Sequence, residues 1–444
     1  MVQNYQASDQ DHWPVFISGK GGDNYVDNQI IQEIVDKILS VLPNQAGQLA
    51  RLVRLMQFAC DPTITVIGKY NHGKSRLLNE LIGTDIFSVA DKRETIQLAE
   101  HKQDQVRWLD APGLDADVAA VDDRHAFEAV WTQADIRLFV HSVREGELDA
   151  TEHHLLQQLI EDADHSRRQT ILVLTQIDQI PDQTILTQIK TSIAQQVPKL
   201  DILAVSATRH RQGIENGKTL LIEKSGIGAL RHTLEQALAQ VPSARAYEKN
   251  RLLSGLYHQL NQLLLDQKRV LQQLQQTQQQ QLHDFDTGLI NILDKIRVDL
   301  EPIVNIDGQD QALNPDSFAT MFKNTEAKQQ RAKVQIAYSR ACIEINSHLI
   351  RHGVVGLPTE QQTTIKSIDT VIVAVFGISV KFRDQLRALF YTDTERQRLQ
   401  REFRFYFEKS AGRMALAAKI EQTIRQQGCI ENAMMALQQM ESAA

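Results

Sequence analysis

Between the apolar run 63-TITVI-67 and the amphipathic stretch 76-RLLNELIG-83 lies 68-GKYNHGKS-75, an octapeptide of the form G-x-x-x-x-G-K-S. This feature constrains the fold more than any other. A strand must enter such a loop and a helix must leave it, because its backbone N–H groups and the first helical turn converge on one phosphate group. Gly68 and Gly73 let the backbone wrap closely around phosphate oxygens. Lys74 then reaches the terminal phosphates of a nucleotide, and Ser75 stands where a hydroxyl ligates Mg²⁺. The phosphate-loop set is Gly68, Asn71, His72, Gly73, Lys74, Ser75 and Arg76.

The surrounding pattern agrees with that demand. Short β-rich runs at 63-TITVI-67, 106-VRWL-109, 136-IRLFVHSV-143, 171-ILVLT-175 and 202-ILAVS-206 alternate with helical stretches such as 151-TEHHLLQQLIED-162 and 228-GALRHTLEQALAQV-241. Alternation of this kind predicts an α/β domain, a mostly parallel sheet with helices on both faces, over residues 60–243. Residues 26–59 read as helices broken near Pro43, placed to pack with a helical region downstream, and residues 1–25 as a polar N-terminal segment.

From residue 244 the β signal stops. Leu253, Leu256, Leu260, Leu263, Gln267, Val270 and Leu274 recur at alternating steps of three and four, and Leu282, Phe285, Leu289, Leu293 and Ile296 resume the pattern. The spacing predicts a long helix with a coiled-coil-like seam running through 272-QQLQQTQQQQL-282. Further helices are expected over about 326–352, 361–392 and 395–441, so residues 244–444 read as an all-α bundle or stalk.

Composition narrows the class. A chain of 444 residues with 42% hydrophobic and 23% charged residues fits a soluble protein of two or three domains. A net charge of −7 gives no nucleic-acid signal, and nucleic acid is not an expected partner. Cys60, Cys342 and Cys429 are odd in number and lack metal-ligand spacing, as expected of reduced thiols in a cytoplasm. The polar N-terminus does not read as a signal peptide, and no apolar run reaches the length of a membrane-spanning helix.

A phosphate loop does not choose the base, so other segments must. At 110-DAPG-113 a strand ends in Asp110, placed to hold Mg²⁺ through water, and the Gly113 N–H is placed to sense a γ-phosphate. At 175-TQID-178, Thr175 and Gln176 lead to Asp178, whose carboxylate suits the paired donors of guanine N1–H and its exocyclic amine. At 206-SAT-208, Ser206 and Ala207 follow a further strand, where a backbone N–H suits guanine O6. Thr95 in 91-DKRETIQ-97 lies at a distance that suits a switch threonine ligating Mg²⁺ only in the triphosphate state. Lys74, Asn71, Thr95 and Gly113 form the catalytic set, and Ser75, Thr95 and Asp110 the metal set.

As an ordered set, these motifs resemble the translation-factor-related P-loop GTPases, in particular their Era-like and dynamin-like bacterial members, over residues 60–241. The resemblance implies hydrolysis of GTP to GDP and phosphate, with Mg²⁺, coupled to a conformational change. Two positions depart from it. Gln176 stands where the family has a base-packing lysine, which loosens the expected grip on guanine. Leu114 stands where many members have a water-orienting glutamine. Asn71 occupies the position that ligates K⁺ in potassium-activated relatives, so K⁺ activation is expected, with a purely conformational role for Asn71 as the alternative. Arg93 is a candidate charge donor, read more simply as an exposed loop residue.

The dynamin-like layout is a nucleotide head flanked on both sides by helices that build a neck and stalk. It implies a nucleotide-dependent homodimer acting on a membrane or protein assembly, cytoplasmic or peripheral at a membrane. The alternative is an Era-like regulator of ribosome or RNA, ranked lower because residues 245–444 carry 25 basic against 22 acidic residues. Two segments have the composition for shallow membrane insertion, 353-GVVGLP-358 and 369-DTVIVAVFGISVKF-382, and burial in the bundle is the preferred reading of both. The stretch 395-ERQRLQREFRFYFEKSAGR-413 mixes arginines with aromatics and reads first as an amphipathic bundle helix.

Overall fold

The computed structural model describes residues 25–56, 61–87, 99–111, 128–306, 308–314, 323–362, 370–377 and 380–442. Thr95, Arg93, Gly113, Leu114 and Cys60 lie outside these residues, as do the N-terminal residues 1–24. The chain divides into two compact units, one formed by Met1–Gln262 with Cys429–Ala444 and the other by Leu263–Gly428.

The first unit opens with α1 (Tyr25–Leu39) and α2 (Ala46–Met56), separated by a short 3₁₀ turn at Pro43–Gln45. Its sheet has six strands: β1 (Thr63–Ile67), β2 (Ala99–Gln103), β3 (Val106–Asp110), β4 (Ile136–Ser142), β5 (Gln169–Thr175) and β6 (Ile202–Ala204). Their spatial order is β2-β3-β1-β4-β5-β6. All neighbours run parallel except β2 with β3. The antiparallel edge strand β2 was not among the sequence candidates. Its residues, AEHKQ, are polar, and its hairpin turns through Asp104 and Gln105, both at positive φ, without a glycine.

Helices α3 (Lys74–Ile82), α4 (Ala150–Ser166), α5 (Gln183–Gln196), α6 (Ala207–Glu215) and α7 (Thr219–Glu223) follow their strands, and α8 runs from Ile227 to Val304. Alternate residues of each strand supply two cores, as period-2 side chains require. Ile64, Val66, Ile136, Leu138, Val140, Ile171 and Val173 pack with Leu77, Leu78 and Leu81 of α3 and with Ile227, Leu230 and Leu234 of α8. Phe139, Leu172 and Leu174 face the other way, onto Leu156 and Leu159 of α4 and Leu186 and Ile193 of α5. Burial on both faces is why these strands read as continuous apolar runs. Chain order leaves β1 to build β3 on one side and then returns to β4 on the other. The loop after β1 therefore opens at the switch point of the sheet, the crevice where such sheets bind ligands.

At the opposite, N-terminal ends of the strands sits a buried ionic network. Arg51 of α2 pairs with Asp135 at 3.1 Å and with Glu248 of α8 at 2.8 Å. Arg245 of α8 also pairs with Asp135, at 2.5 Å, and Asp135 accepts the Thr63 N–H at the start of β1. Arg168 and Arg137 share Asp162 of α4. Helix α8 continues through Pro242. Only one backbone donor is lost there, and the ion pairs of Arg245 and Glu248 hold the next turns in place.

Among the described residues the regular elements of the second unit are all helices. Its core joins Phe285, Leu289, Leu293, Ile296 and Leu300 of α8 to Val334, Ala337, Ala341, Ile345 and Leu349 of α9 (Glu326–Arg351). From Phe285 to Ile296 the 3–4 spacing read from the sequence is the buried stripe, whereas Leu263, Gln267, Val270 and Leu274, expected on the same seam, are not buried. Between residues 265 and 284 no residue of α8 is buried, so the glutamine tract is a solvated helix face. The single helix expected over 361–392 is instead α10 (Val371–Phe376) and α11 (Arg383–Tyr391), because Gly377 at φ +75 ends the first. The stretch after it divides at Lys409–Ser410 into α12 (Asp393–Glu408) and α13 (Ala411–Ser442). Val371, Val375 and Val380 are buried with Phe390 and Phe403, so VIVAVF is core. In the other apolar segment Val354 is buried and Val355 is 84% exposed. On α12, Leu399, Phe403 and Phe407 are buried, while Arg396, Arg398 and Arg404 pair with Asp294, Glu402 and Asp286. Among the described residues no helix is long and apolar enough to cross a membrane.

Candidate functional site

The phosphate loop is built as its glycines dictate. Gly68 has φ +153, and a Cβ there would lie 2.1 Å from the carbonyl oxygen of Val140 in β4, so only glycine fits. Gly73, at φ +84, ends the loop as the N-cap of α3. Asn71 also takes a left-handed conformation, φ 61, which asparagine tolerates better than most residues. Lys74 curls back across the loop, its Nζ donating to the Gly68 carbonyl at 2.9 Å and the Lys69 carbonyl at 2.8 Å. Its ammonium thus lies in the space the loop encloses. Arg76 is exposed at the first turn of α3.

Ser75 Oγ donates to Asp110 Oδ2 at 2.5 Å, joining the end of the loop to the end of β3. Asp110 Oδ1 is buried and has no hydrogen-bond partner among the described residues. Burial pushes the Asp110 carboxyl above its usual range, against the Ser75 hydrogen bond and the Lys74 charge. A hydroxyl and a desolvated, half-satisfied carboxylate side by side are the oxygen donors a Mg²⁺ ion takes. The residues present therefore fit the ion.

Two residues of the base-reading segments converge on the same loop, and a third, Asp178, is fixed beside them. Thr175 Oγ1 donates to the His72 carbonyl at 2.6 Å. Gln176, at φ 61, donates from Nε2 to the Asn71 carbonyl at 2.7 Å and accepts from Ser142 Oγ at 3.1 Å. Asp178 accepts from Ser206 Oγ at 2.5 Å, and Ser206 caps α6 by accepting the Arg209 N–H. Burial would raise the Asp178 carboxyl, but the Ser206 and Gln179 hydrogen bonds hold it below its usual range, ionised and ready to accept. Ala207 opens α6 beside it. The structure thus brings Gly68, Asn71, His72, Gly73, Lys74, Ser75, Asp110, Thr175, Gln176, Asp178, Ser206 and Ala207 to one end of the sheet.

The loop also has a second set of partners, which the sequence did not announce. Lys69 pairs with Asp149, the N-cap of α4, and lies 3.9 Å from both Glu145 and Glu152. His72 and His141 meet edge to face, ring centroids 5.3 Å apart, over Glu152. Lys69 and His72 occupied variable positions of the motif, and their partners come from distant stretches of chain. The burial of His141 at the end of an apolar strand was the one available signal.

Comparison with known proteins agrees with this site. The family model described as 50S ribosome-binding GTPase matches residues 63–176, which contain the phosphate loop, Asp110, Thr175 and Gln176. Residues 63–176 carry a P-loop GTPase domain. The chain forms one family with a protein of Acinetobacter baylyi described as uncharacterized, 97% identical over 419 residues, which are 94% of this chain and 100% of that protein. GTPase Era of Bordetella petrii is 31% identical over 156 residues, 34% of this chain. The chain spans about half the length of that relative, 51%. Among solved structures, a bacterial dynamin from an oligomerised, membrane-tethering pair aligns over 93% of this chain and 76% of its own, at 15% identity and a TM-score of 0.33. This GTPase is a guanine-nucleotide-binding protein with a mostly parallel α/β head and a helical C-terminal region.

Proposed function

We propose that this GTPase hydrolyses GTP to GDP and phosphate and uses the cycle to dimerise and to move its helical region. The observation that carries the reading is the pairing of Ser75 with Asp110, whose second oxygen is buried and has no partner among the described residues. Such a pair serves a nucleotide bound with magnesium, where phosphoryl transfer depends on positioning and charge neutralisation.

The residues act as follows. Loop amides bind the phosphate oxygens, and Lys74 exchanges the Gly68 and Lys69 carbonyls for them. Ser75 and Asp110 would hold Mg²⁺, which would supply positive charge to offset that of the phosphates. Asp178 orients guanine, fixed by Ser206. Thr95 and Gly113, which lie outside the described residues, sense the γ-phosphate. Leu114 cannot orient water as a glutamine would, and Asn71 would hold K⁺, which would supply further positive charge to the phosphates.

Phosphate release by the full chain tests this directly. Lys74→Ala and Ser75→Ala should each abolish GTP turnover. The wild-type rate should be higher in KCl than in NaCl at equal ionic strength, and Asn71→Ala should erase the difference. A chain that binds GTP and releases no phosphate refutes hydrolysis, and equal rates in both salts refute the K⁺ role alone. For the target, a membrane or protein assembly is favoured over RNA. The likeness to Era covers the nucleotide head, and the helical half is only weakly basic. Sedimentation with liposomes in a GTP analogue separates the two.

A further inference from the structure

Glu152 sits in the first turn of α4, where its Oε2 accepts the Asp149 N–H and closes a capping box. Its other oxygen, Oε1, points elsewhere. His141 Nδ1 lies 2.9 Å from it and His72 Nδ1 3.6 Å from it. The three side chains are at most 1% exposed, and each offers a donor atom within 4.8 Å of the others. A tetrahedral ion with bonds of about 2.0–2.1 Å holds its donors roughly 3.3 Å apart, a separation the two measured values bracket.

The remaining ring nitrogens identify what is missing. His141 Nε2 lies 3.1 Å from the Gly146 carbonyl and donates to it, which leaves the Nδ1 lone pair facing a carboxylate oxygen. Metal-ligating histidines are fixed in this way, the far nitrogen held by a backbone carbonyl. Two lone pairs face each other at 2.9 Å, and a cation or a second proton must lie between them. His72 differs: its Nδ1 lies 3.2 Å from the Val140 carbonyl as well as 3.6 Å from Glu152, so the ion would take that nitrogen from the carbonyl and leave Nε2 to donate to Glu145 Oε1, 2.9 Å away. Nearby, Glu145, Asp149 and Glu152 surround one ammonium, that of Lys69. A divalent ion balances that set.

We propose that His72, His141 and Glu152 bind one divalent transition ion of the zinc class, fastening the phosphate loop to the end of β4 and the start of α4. Two imidazoles and one carboxylate suit Zn²⁺, not Mg²⁺, and leave a fourth position for water. The site is separate from Ser75 and Asp110, whose donors are oxygens alone. Because His72 immediately precedes Gly73, occupancy holds the loop closed from outside the nucleotide cradle.

The test uses the full chain, free of any affinity tag, stripped with chelator and titrated with Zn²⁺ against a chromophoric chelator in excess Mg²⁺. One zinc per chain is expected. Co²⁺ in its place should give the visible absorption of a four-coordinate site. His141→Ala and Glu152→Gln should each weaken zinc binding about a hundredfold or more, since even outer-shell losses cost 10–100-fold. Ser75→Ala should leave it intact. Glu152→Gln is isosteric and carries the test if His141→Ala fails to fold, as judged by circular dichroism. No saturable zinc uptake by the wild-type chain, or uptake unchanged in the variants, overturns the proposal.

Discussion

Gln176 takes on a different meaning once its side chain is placed. In the motif it replaces a lysine whose stem packs on the base, and it reads as a weakened grip on guanine. In the structure it straps the phosphate loop to β4 through Asn71 and Ser142. Each such hydrogen bond contributes about 0.5–1.5 kcal/mol. Gln176→Ala should therefore raise the dissociation constants for GDP and ADP alike, roughly 3- to 10-fold, and leave the preference between them unchanged. Asp178→Asn should do the reverse: guanine loses its paired acceptor, and selectivity over adenine falls. Calorimetric titration with both nucleotides distinguishes the two. Residues at strand ends were legible because their chemistry lies in contiguous segments, DAPG, TQID and SAT. The cluster of His72, His141 and Glu152 was not, because three separate stretches supply one donor each and only the sheet brings them together.

The same division holds for elements. Strands buried on both faces and helices with an apolar stripe were visible in the periodicity, and α9 begins and ends within a residue of its expected span. Polar β2 and the break at Gly377 escaped because neither changes the hydrophobic period. Nor did periodicity reveal the charged joint beneath the sheet, where α2 and α8 meet Asp135. Burial would raise the Asp135 carboxyl, but the Arg245 hydrogen bond and the Arg51 and Arg245 charges outweigh it and hold the group below its usual range. Its folded value is thus lower than its unfolded value of about 3.9. The stability it supplies is complete above the unfolded value and is lost as pH falls through the folded one. Asp135→Asn leaves Arg51 and Arg245 facing a neutral partner in a buried site and should cost roughly 3–5 kcal/mol at pH 7. Urea denaturation at pH 7 and pH 3.5 measures both effects, and the difference between wild type and variant should narrow in acid.

At the scale of the whole molecule, two cores raise a question of linkage. The nucleotide is held by residues of the first unit, while Phe285, Val334, Phe390 and Phe403 close the core of the second. A ligand stabilises what it binds by RT ln(1 + [L]/Kd), about 2.7 kcal/mol at a hundred times Kd. None of the three tryptophans falls in Leu263–Gly428, and Trp108 and Trp131 lie in the first unit, so tryptophan fluorescence follows the unfolding of that unit, whereas far-ultraviolet dichroism is dominated by helices of both. With Mg²⁺–GDP present, the fluorescence transition should move to higher urea. A cycle that moves the helical region requires those helices to respond to the nucleotide, so the late part of the dichroism transition should move with it. If fluorescence shifts and that part stays where it was, the head binds its nucleotide without informing the helices. Hydrolysis would then survive as an activity, and the mechanical reading would not.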